Sequence, residues 1–371
     1  ETMYRLVGSA AAVRPISRLV GSSVAGVATT PVRCFSDMDA PKSVFDRAVK
    51  VAHRERAATA RRVAGSEPLA AEVTMRLLDR LEDIKGREFP VAVTFGGAGR
   101  QVLEQLADGR AGVKHLHMFD SSAATIREAQ ECAADLATRG VQVPELTCAL
   151  ADEEHLPLQN ASVDVIITSL GLHWVNNIPG LMAQCRRALK PDGLFLASFL
   201  GGQTLQEFRI ACSVAELERE GGLSPRMSPL AEMRDAGNLL GAGGFALPSV
   251  DTDEIEMKYT DVLDLVQHLR MMGESNAVLH RRPTLHRDTA LAAAAVYQSF
   301  EQTEDPEETD DGITATFQII YMAGWAPDAS QQKPAARGSA TSSFGDLDKA
   351  MSDIGDVYDA EDMADGKIPK S

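Results

Sequence analysis

The residues best placed to do chemistry begin with a cluster of glycines. Gly96-Gly97-Ala98-Gly99 follows a short apolar run, Val91-Ala92-Val93-Thr94-Phe95, and leads through Arg100 into Gln101-Val102-Leu103-Glu104-Gln105-Leu106. A buried strand, a glycine turn and a helix in that order open a Rossmann-like unit. Glycines there let the backbone approach a nucleotide closely, and the helix start offers free N–H groups. Asp120 lies 24 positions beyond Gly96, at the end of the apolar run 115–119. A short acid at that point suits the two hydroxyls of a ribose, and it suits equally well the capping of the helix that follows. Asp152 and Glu153 follow the next apolar run, and His173-Trp174 follow the one after. His173 and Trp174 could line a substrate pocket, or could be a packed aromatic beside a histidine bonded to backbone. No Ser/His/Asp order, metal-ligand cluster or Walker loop is seen, so no metal site is predicted.

The elements that must position these residues alternate. Strands are expected at 91–95, 115–119, 146–150, 163–168 and 194–199, with helices at 123–139 and 178–189 between them. Pro191-Asp192-Gly193 is read as the stop after the second of these helices. Alternation with short loops implies a parallel, doubly wound α/β sheet. Ahead of it, 43–64 reads as a basic helix with Arg47, Lys50, Arg54, Arg56, Arg61 and Arg62 on a solvated face, or on one that docks on an acidic partner surface, packed on the core by Val44, Phe45 and Val51. A second helix, 67–85, repeats Leu69, Val73, Leu77, Leu78 and Leu81 at helical spacing. Beyond residue 200, helices are expected at 204–219, 229–240, 261–272 and 289–300, and strands at 250–257 and 313–322 that could close the sheet edge.

Composition bounds the function. The chain of 371 residues is 44% hydrophobic with a formal net charge of −16, which supports one large core and argues against a general nucleic-acid binder. No apolar run reaches the ~20 residues of a membrane span. The first 35 residues carry Arg5, Arg14, Arg18 and Arg33 against Glu1 alone, amid Ser, Ala and Val. That is the composition of a mitochondrial transit peptide, with Arg33-Cys34-Phe35 before Ser36 as its cleavage site and Met3 as its start. Five cysteines form no C-x-x-C pair, as expected of free thiols in a reducing compartment. Seven acids fall in the stretch 301–311, and the tail from Gly345 has eight acids against three lysines. The first reads as a solvated loop and the second as a segment without a core of its own. The organisation expected is a transit peptide over 1–35, an N-terminal helical segment over 36–86, a Rossmann-like core over 87–200, C-terminal helices and closing strands over 201–344, and an acidic tail over 345–371.

With these elements in place the chain resembles class I S-adenosylmethionine-dependent methyltransferases. Within them it resembles one family more narrowly, through Val44-Phe45-Asp46-Arg47, Ala151-Asp152-Glu153-Glu154, Leu172-His173-Trp174-Val175-Asn176, Leu189-Lys190-Pro191-Asp192-Gly193, Glu218-Arg219-Glu220-Gly221-Gly222, Val250-Asp251-Thr252-Asp253-Glu254-Ile255, Gly273-Glu274-Ser275-Asn276, His286-Arg287-Asp288-Thr289 and Arg337-Gly338-Ser339-Ala340-Thr341. That family is the mitochondrial complex I assembly factor of methyltransferase fold described as a protein-arginine hydroxylase. The resemblance spans 43–345 and implies a class I methyltransferase fold and action in the matrix on an iron–sulfur subunit of complex I. It also implies cofactor positions at Gly96, Asp120, Asp152 and Glu153, with Gly97 and Gly99 in a register shifted by one residue. An acid after the third strand would receive the adenine amino group, and the loop at His173-Trp174 would be where substrate and cofactor meet.

The family turn reads acid-x-Gly-x-Gly-x-Gly, and here those positions hold Thr94, Gly96, Ala98 and Arg100. Ala98 disfavours a positive φ, and Arg100 brings a cation toward a ligand whose sulfonium is also positive. Two readings follow. In the first the protein is a pseudoenzyme that keeps the fold and partner surface of a complex I assembly factor but has lost S-adenosylmethionine. In the second it binds that cofactor and hydroxylates or methylates an arginine of a complex I subunit. Nothing in the sequence supplies an oxidant for hydroxylation. A small-molecule methyltransferase of quinone or biotin synthesis would share the fold, but the blocks at 273–276 and 337–341 speak against it.

Overall fold

The computed structural model describes residues 43–333 and 338–339, apart from 66, 85, 227, 283 and 301–311. The expected transit peptide, the acidic stretch, the tail and most of the 337–341 block lie outside the described residues. The elements described here belong to the first of two compact units, Glu1–Asp328.

Among the described residues, seven strands form one sheet: β1 (Val91–Phe95), β2 (His115–Asp120), β3 (Glu145–Leu150), β4 (Val163–Ser169), β5 (Leu189–Leu200), β6 (Ala246–Tyr259) and β7 (Ile313–Trp325). Their order is β3-β2-β1-β4-β5-β7-β6. The first five run parallel, and β7 is inserted antiparallel between β5 and β6. The Val/Ile/Leu-rich strands at the centre are buried on both faces, as parallel strands covered by helices must be. This is the class I methyltransferase fold expected from the alternation, and the two C-terminal strands close its edge.

Among the described residues, nine α-helices pack around the sheet: α1 (Arg47–Ala64), α2 (Pro68–Glu82), α3 (Gly99–Gln105), α4 (Ala123–Thr138), α5 (Ile178–Ala188), α6 (Gln206–Glu220), α7 (Met233–Ala242), α8 (Val262–Met272) and α9 (Arg287–Phe300). One core joins α2 and α3 to one face of the sheet through Leu77, Leu78, Val102, Leu103, Ile167, Leu196 and Phe317. The opposite core is built by Leu181, Met182 and Cys185 of α5 and Ala236 and Leu240 of α7 on Ile166, Phe195 and Ile320.

Three expectations change. The helix expected at 229–240 begins at Met233, where Glu232 and Asp235 form a reciprocal capping box. Pro191-Asp192-Gly193 does not separate helix from strand. It lies inside β5 as an irregularity, with Asp192 at φ 59 and a register shift opposite β4 between Val163 and Val165. The largest change concerns α1. Three of its cations do not face solvent: Lys50, Arg54 and Arg61 are buried together with Ala57 and Ala58, whereas Arg56 and Arg62 are exposed as expected and so is Val44. Positions 47, 50, 54, 57/58 and 61 share one helix face, and that face packs toward α4 and α8.

Candidate functional site

Asp120 ends β2 and is 1% exposed. Its Oδ1 accepts the Ser122 N–H at 2.7 Å. Ser122 is the N-cap of α4, its Oγ accepting the Thr125 N–H at 3.2 Å. Capping therefore does not account for Asp120. Its Oδ2 is buried and has no hydrogen-bond partner among the described residues, which is a costly state for a carboxylate oxygen. Burial raises the Asp120 pKa to about 6, against the pull of Arg54.

Asp152 and Glu153 stand in the loop after β3, so the parallel sheet brings them beside Asp120 at the C-terminal strand ends. The groups that face these acids come from α1. Arg47 donates to Asp152 Oδ1 at 3.0 Å and to the Trp174 carbonyl at 3.0 Å, and also pairs with Glu153. Arg54 pairs with Glu153, donates to Ser121 Oγ at 3.1 Å, and sits 3.6 Å from Asp120 Oδ1. Burial works to raise the Glu153 pKa, but the two guanidiniums outweigh it and hold it at about 2.

The third cation of this face, Lys50, donates to Glu274 Oε1 at 2.9 Å and to the Gly273 carbonyl at 2.8 Å. Its ammonium lies 4.3 Å from the Trp174 ring centroid, a favourable cation–π separation. Burial lowers its pKa to about 8, against the attraction of Glu274. Glu274 Oε2 meets His173 Nε2 at 2.8 Å and accepts Trp174 Nε1–H at 2.5 Å. Trp174 completes this corner edge-on to Phe45, with centroids 5.1 Å apart. Farther along α1, Arg61 is bound to both carboxylate oxygens of Glu128.

The glycine turn is shaped by one left-handed residue. Gly96 carries the positive φ, 81°, and a Cβ there would lie 2.8 Å from Gly171 Cα. Gly97 borders open space. Gly99 makes room for Met118 on β2, so its role is helix-to-strand packing. Ala98 has φ −102° and ψ 25°, a conformation open to any side chain, so the expected conflict with a positive φ does not arise. Arg100 is paired with Glu104 at 3.0 Å and approaches Glu128 at 3.5 Å. Thr94, where the family pattern has an acid, is fully buried with Oγ1 unpartnered among the described residues.

Between this turn and α1 remains a cavity of about 20 Å³, lined by Arg54, Arg61, Gly97, Ala98, Gln101 and Glu274. That is room for about one water molecule. A larger cavity of about 260 Å³ lies on the other side of Glu274, walled by His173, Trp174, Leu205, Phe208, Leu230 and Leu269. The fold thus gathers Gly97, Asp120, Asp152 and Glu153 at one cradle and places His173 and Trp174 beside it. Sequence reasoning missed Arg54 and the pairing of Glu274. The signal for the first was the i, i+3/i+4 spacing of cations and alanines on one helix face, and no local signal exists for the second.

Comparison with known proteins places this architecture. The zebrafish (Danio rerio) protein named arginine-hydroxylase NDUFAF5, mitochondrial, is 39% identical over 327 residues, covering 88% of this chain and 96% of its own length. The human protein of that name is 40% identical over 307 residues, covering 83% and 84%. The chain belongs to the arginine-hydroxylase NDUFAF5 family. Residues 93–197 also match the model of the methyltransferase domain. A malonyl-[acyl-carrier protein] O-methyltransferase of Xylella fastidiosa is 31% identical over 260 residues, 70% of this chain and 81% of its own.

S-adenosylmethionine, the cofactor of the fold, finds a mixed reception. The unpartnered Asp120 Oδ2 suits a hydroxyl donor. However, the position beside Asp120 is held by Arg54, and the space at the turn is far too small for a methionine side chain. With α1 seated, the residues present do not accommodate the cofactor.

Proposed function

We propose that this protein is a mitochondrial matrix component working with respiratory complex I, as an assembly factor or accessory component. In this reading it contributes its fold and surface and performs no cofactor chemistry. The names of its relatives support the mitochondrial assignment, and the resemblance set out above supports complex I. One observation carries the non-catalytic part: Arg47 and Arg54 hold the three cradle acids and leave about 20 Å³ at the glycine turn. No step of a transfer reaction is derived, because the cofactor does not fit.

The test uses Gly97, where an added Cβ has no neighbour within 4 Å, so Gly97→Val places side-chain atoms at the mouth of the cradle. In cells lacking the protein, the Gly97→Val chain should restore assembled complex I on native gels as fully as the unmodified chain. Failure to restore, with an unchanged melting temperature, would contradict the non-catalytic reading. A second reading is favoured by the buried, unpartnered Oδ2 of Asp120. In it the cradle opens to S-adenosylmethionine and the protein modifies an arginine of a complex I iron–sulfur subunit, in keeping with its relatives' name of arginine-hydroxylase.

A further inference from the structure

Two features separate this cradle from one that would accept an adenosyl ligand: the altered glycine turn and the seated α1. The turn itself offers little obstruction. Ala98 sits in a conformation open to any L residue, Gly97 borders empty space, and Arg100 is held by Glu104 and Glu128. Arg54 obstructs directly. Its side chain is 4% exposed, 3.6 Å from Asp120 Oδ1, paired with Glu153 and bonded to Ser121 Oγ. It therefore spans the ends of β2 and β3, where a ribose would lie on the acid. Yet it leaves Asp120 Oδ2 without a donor, so the acid is an acceptor that its present neighbour satisfies only in part.

We propose that Arg54 is an internal occupant of the nucleoside cradle, and that this residue, and not the altered glycine turn, sets the affinity for an adenosyl ligand. The inference rests on the closed-cradle reading above and names the residue that closes it. The remainder of α1 does not depend on Arg54. Lys50 is anchored on Glu274 and Gly273, Arg61 on Glu128, and Arg47 on Asp152 and Glu153, and just ahead of the helix Phe45 packs with Trp174, Ala277 and Val278. Removing the Arg54 side chain would free the space beside Asp120 while α1 stays seated, and Glu153 would retain Arg47 as its counterion. A ligand bearing a ribose could then donate a hydroxyl to Oδ2.

The experiment titrates S-adenosylhomocysteine into the whole chain in four forms: unmodified, Arg54→Ala, Arg54→Lys, and Ala98→Gly with Arg100→Gly. This probe keeps the ribose and lacks the sulfonium charge, so it reports on the cradle without charge repulsion. Arg54→Ala should bind at least about tenfold more tightly than the unmodified chain. The turn variant should change affinity by no more than about threefold. Arg54→Lys, which keeps a cation at this position, should show little of the gain. If Arg54→Ala loses its cooperative melt, Arg54→Ala with Glu153→Gln removes the buried charge along with its partner and carries the same comparison. A folded Arg54 variant with no gain, or a gain confined to the turn variant, overturns the inference. Micromolar binding by the unmodified chain would instead overturn the closed-cradle reading. The comparison among variants would still stand, so the two failures are distinguishable.

Discussion

Asp120 is the residue at which the competing demands of this site meet. Its carboxylate is buried, one oxygen lacks a donor among the described residues, and its pKa stands at about 6 against an ordinary value of 3.8. A raised acid pKa means that the folded protein binds a proton which the unfolded chain releases, in the window between pH 3.8 and pH 6. Stability contributed by Asp120 therefore falls as pH rises through that window, and its ionised form is a cost at neutral pH. Asp120→Asn keeps the shape and removes the titration. The variant should melt above the parent at pH 7.5, and the difference should shrink toward zero as the pH falls below 4. His53, held at about 4 by burial and by Lys50 and Arg56, titrates nearby. It is common to both proteins, so the difference isolates Asp120. A parent that melts above the variant at pH 7.5 would mean that Arg54 compensates the buried charge fully. How far these residues were legible follows from the same chemistry. The period of the fold places an acid after β2 and after β3, so Asp120, Asp152 and Glu153 are visible in sequence. Their counterions are not, because Arg54 reaches Glu153 across 99 positions and Lys50 reaches Glu274 across 224.

At the scale of elements, two contacts hold the cradle: the turn between β1 and α3, and the seat of α1. Gly96 is left-handed and lies against Gly171, so the turn after β1 and the loop after β4 touch backbone to backbone. Gly96→Ala should cost roughly 1–3 kcal/mol through the positive φ and the displaced loop, read as a lowered denaturation midpoint. Gly97→Ala, with no positive φ and open space, should change it by less than about 0.5 kcal/mol. Equal effects would mean that the Gly96–Gly171 contact yields easily. The alternating strands and the apolar repeat of α2 made the sheet readable, since both follow from periodicity. The seat of α1 was misread because basic residues ordinarily favour water. Here Arg47, Lys50, Arg54 and Arg61 fall on one face with Ala57 and Ala58, small residues that let the helix approach acids on other elements. The irregular Pro191–Gly193 segment was misread for a different reason, as a proline and a glycine mark a turn and a β-bulge alike.

For the whole molecule, the formal charge of −16 and the cationic helix are connected. Lys50, Arg54 and Arg61 are spent on acids of the same chain, so α1 does not present these cations to an acidic partner. No helix among the described residues is long and apolar enough to cross a membrane. The protein keeps the sheet of a methyltransferase fold, and in the proposed reading α1 closes the cradle beside Asp120, Asp152 and Glu153. Family membership alone cannot decide what such a cradle does, since activity resides in the site and not in the fold. The most direct measurement is a calorimetric titration of S-adenosylmethionine into the unmodified whole chain. The closed cradle predicts no saturable heat up to about 1 mM ligand. Saturable one-site binding in the micromolar range would contradict it, and would mean that α1 gives way to the cofactor.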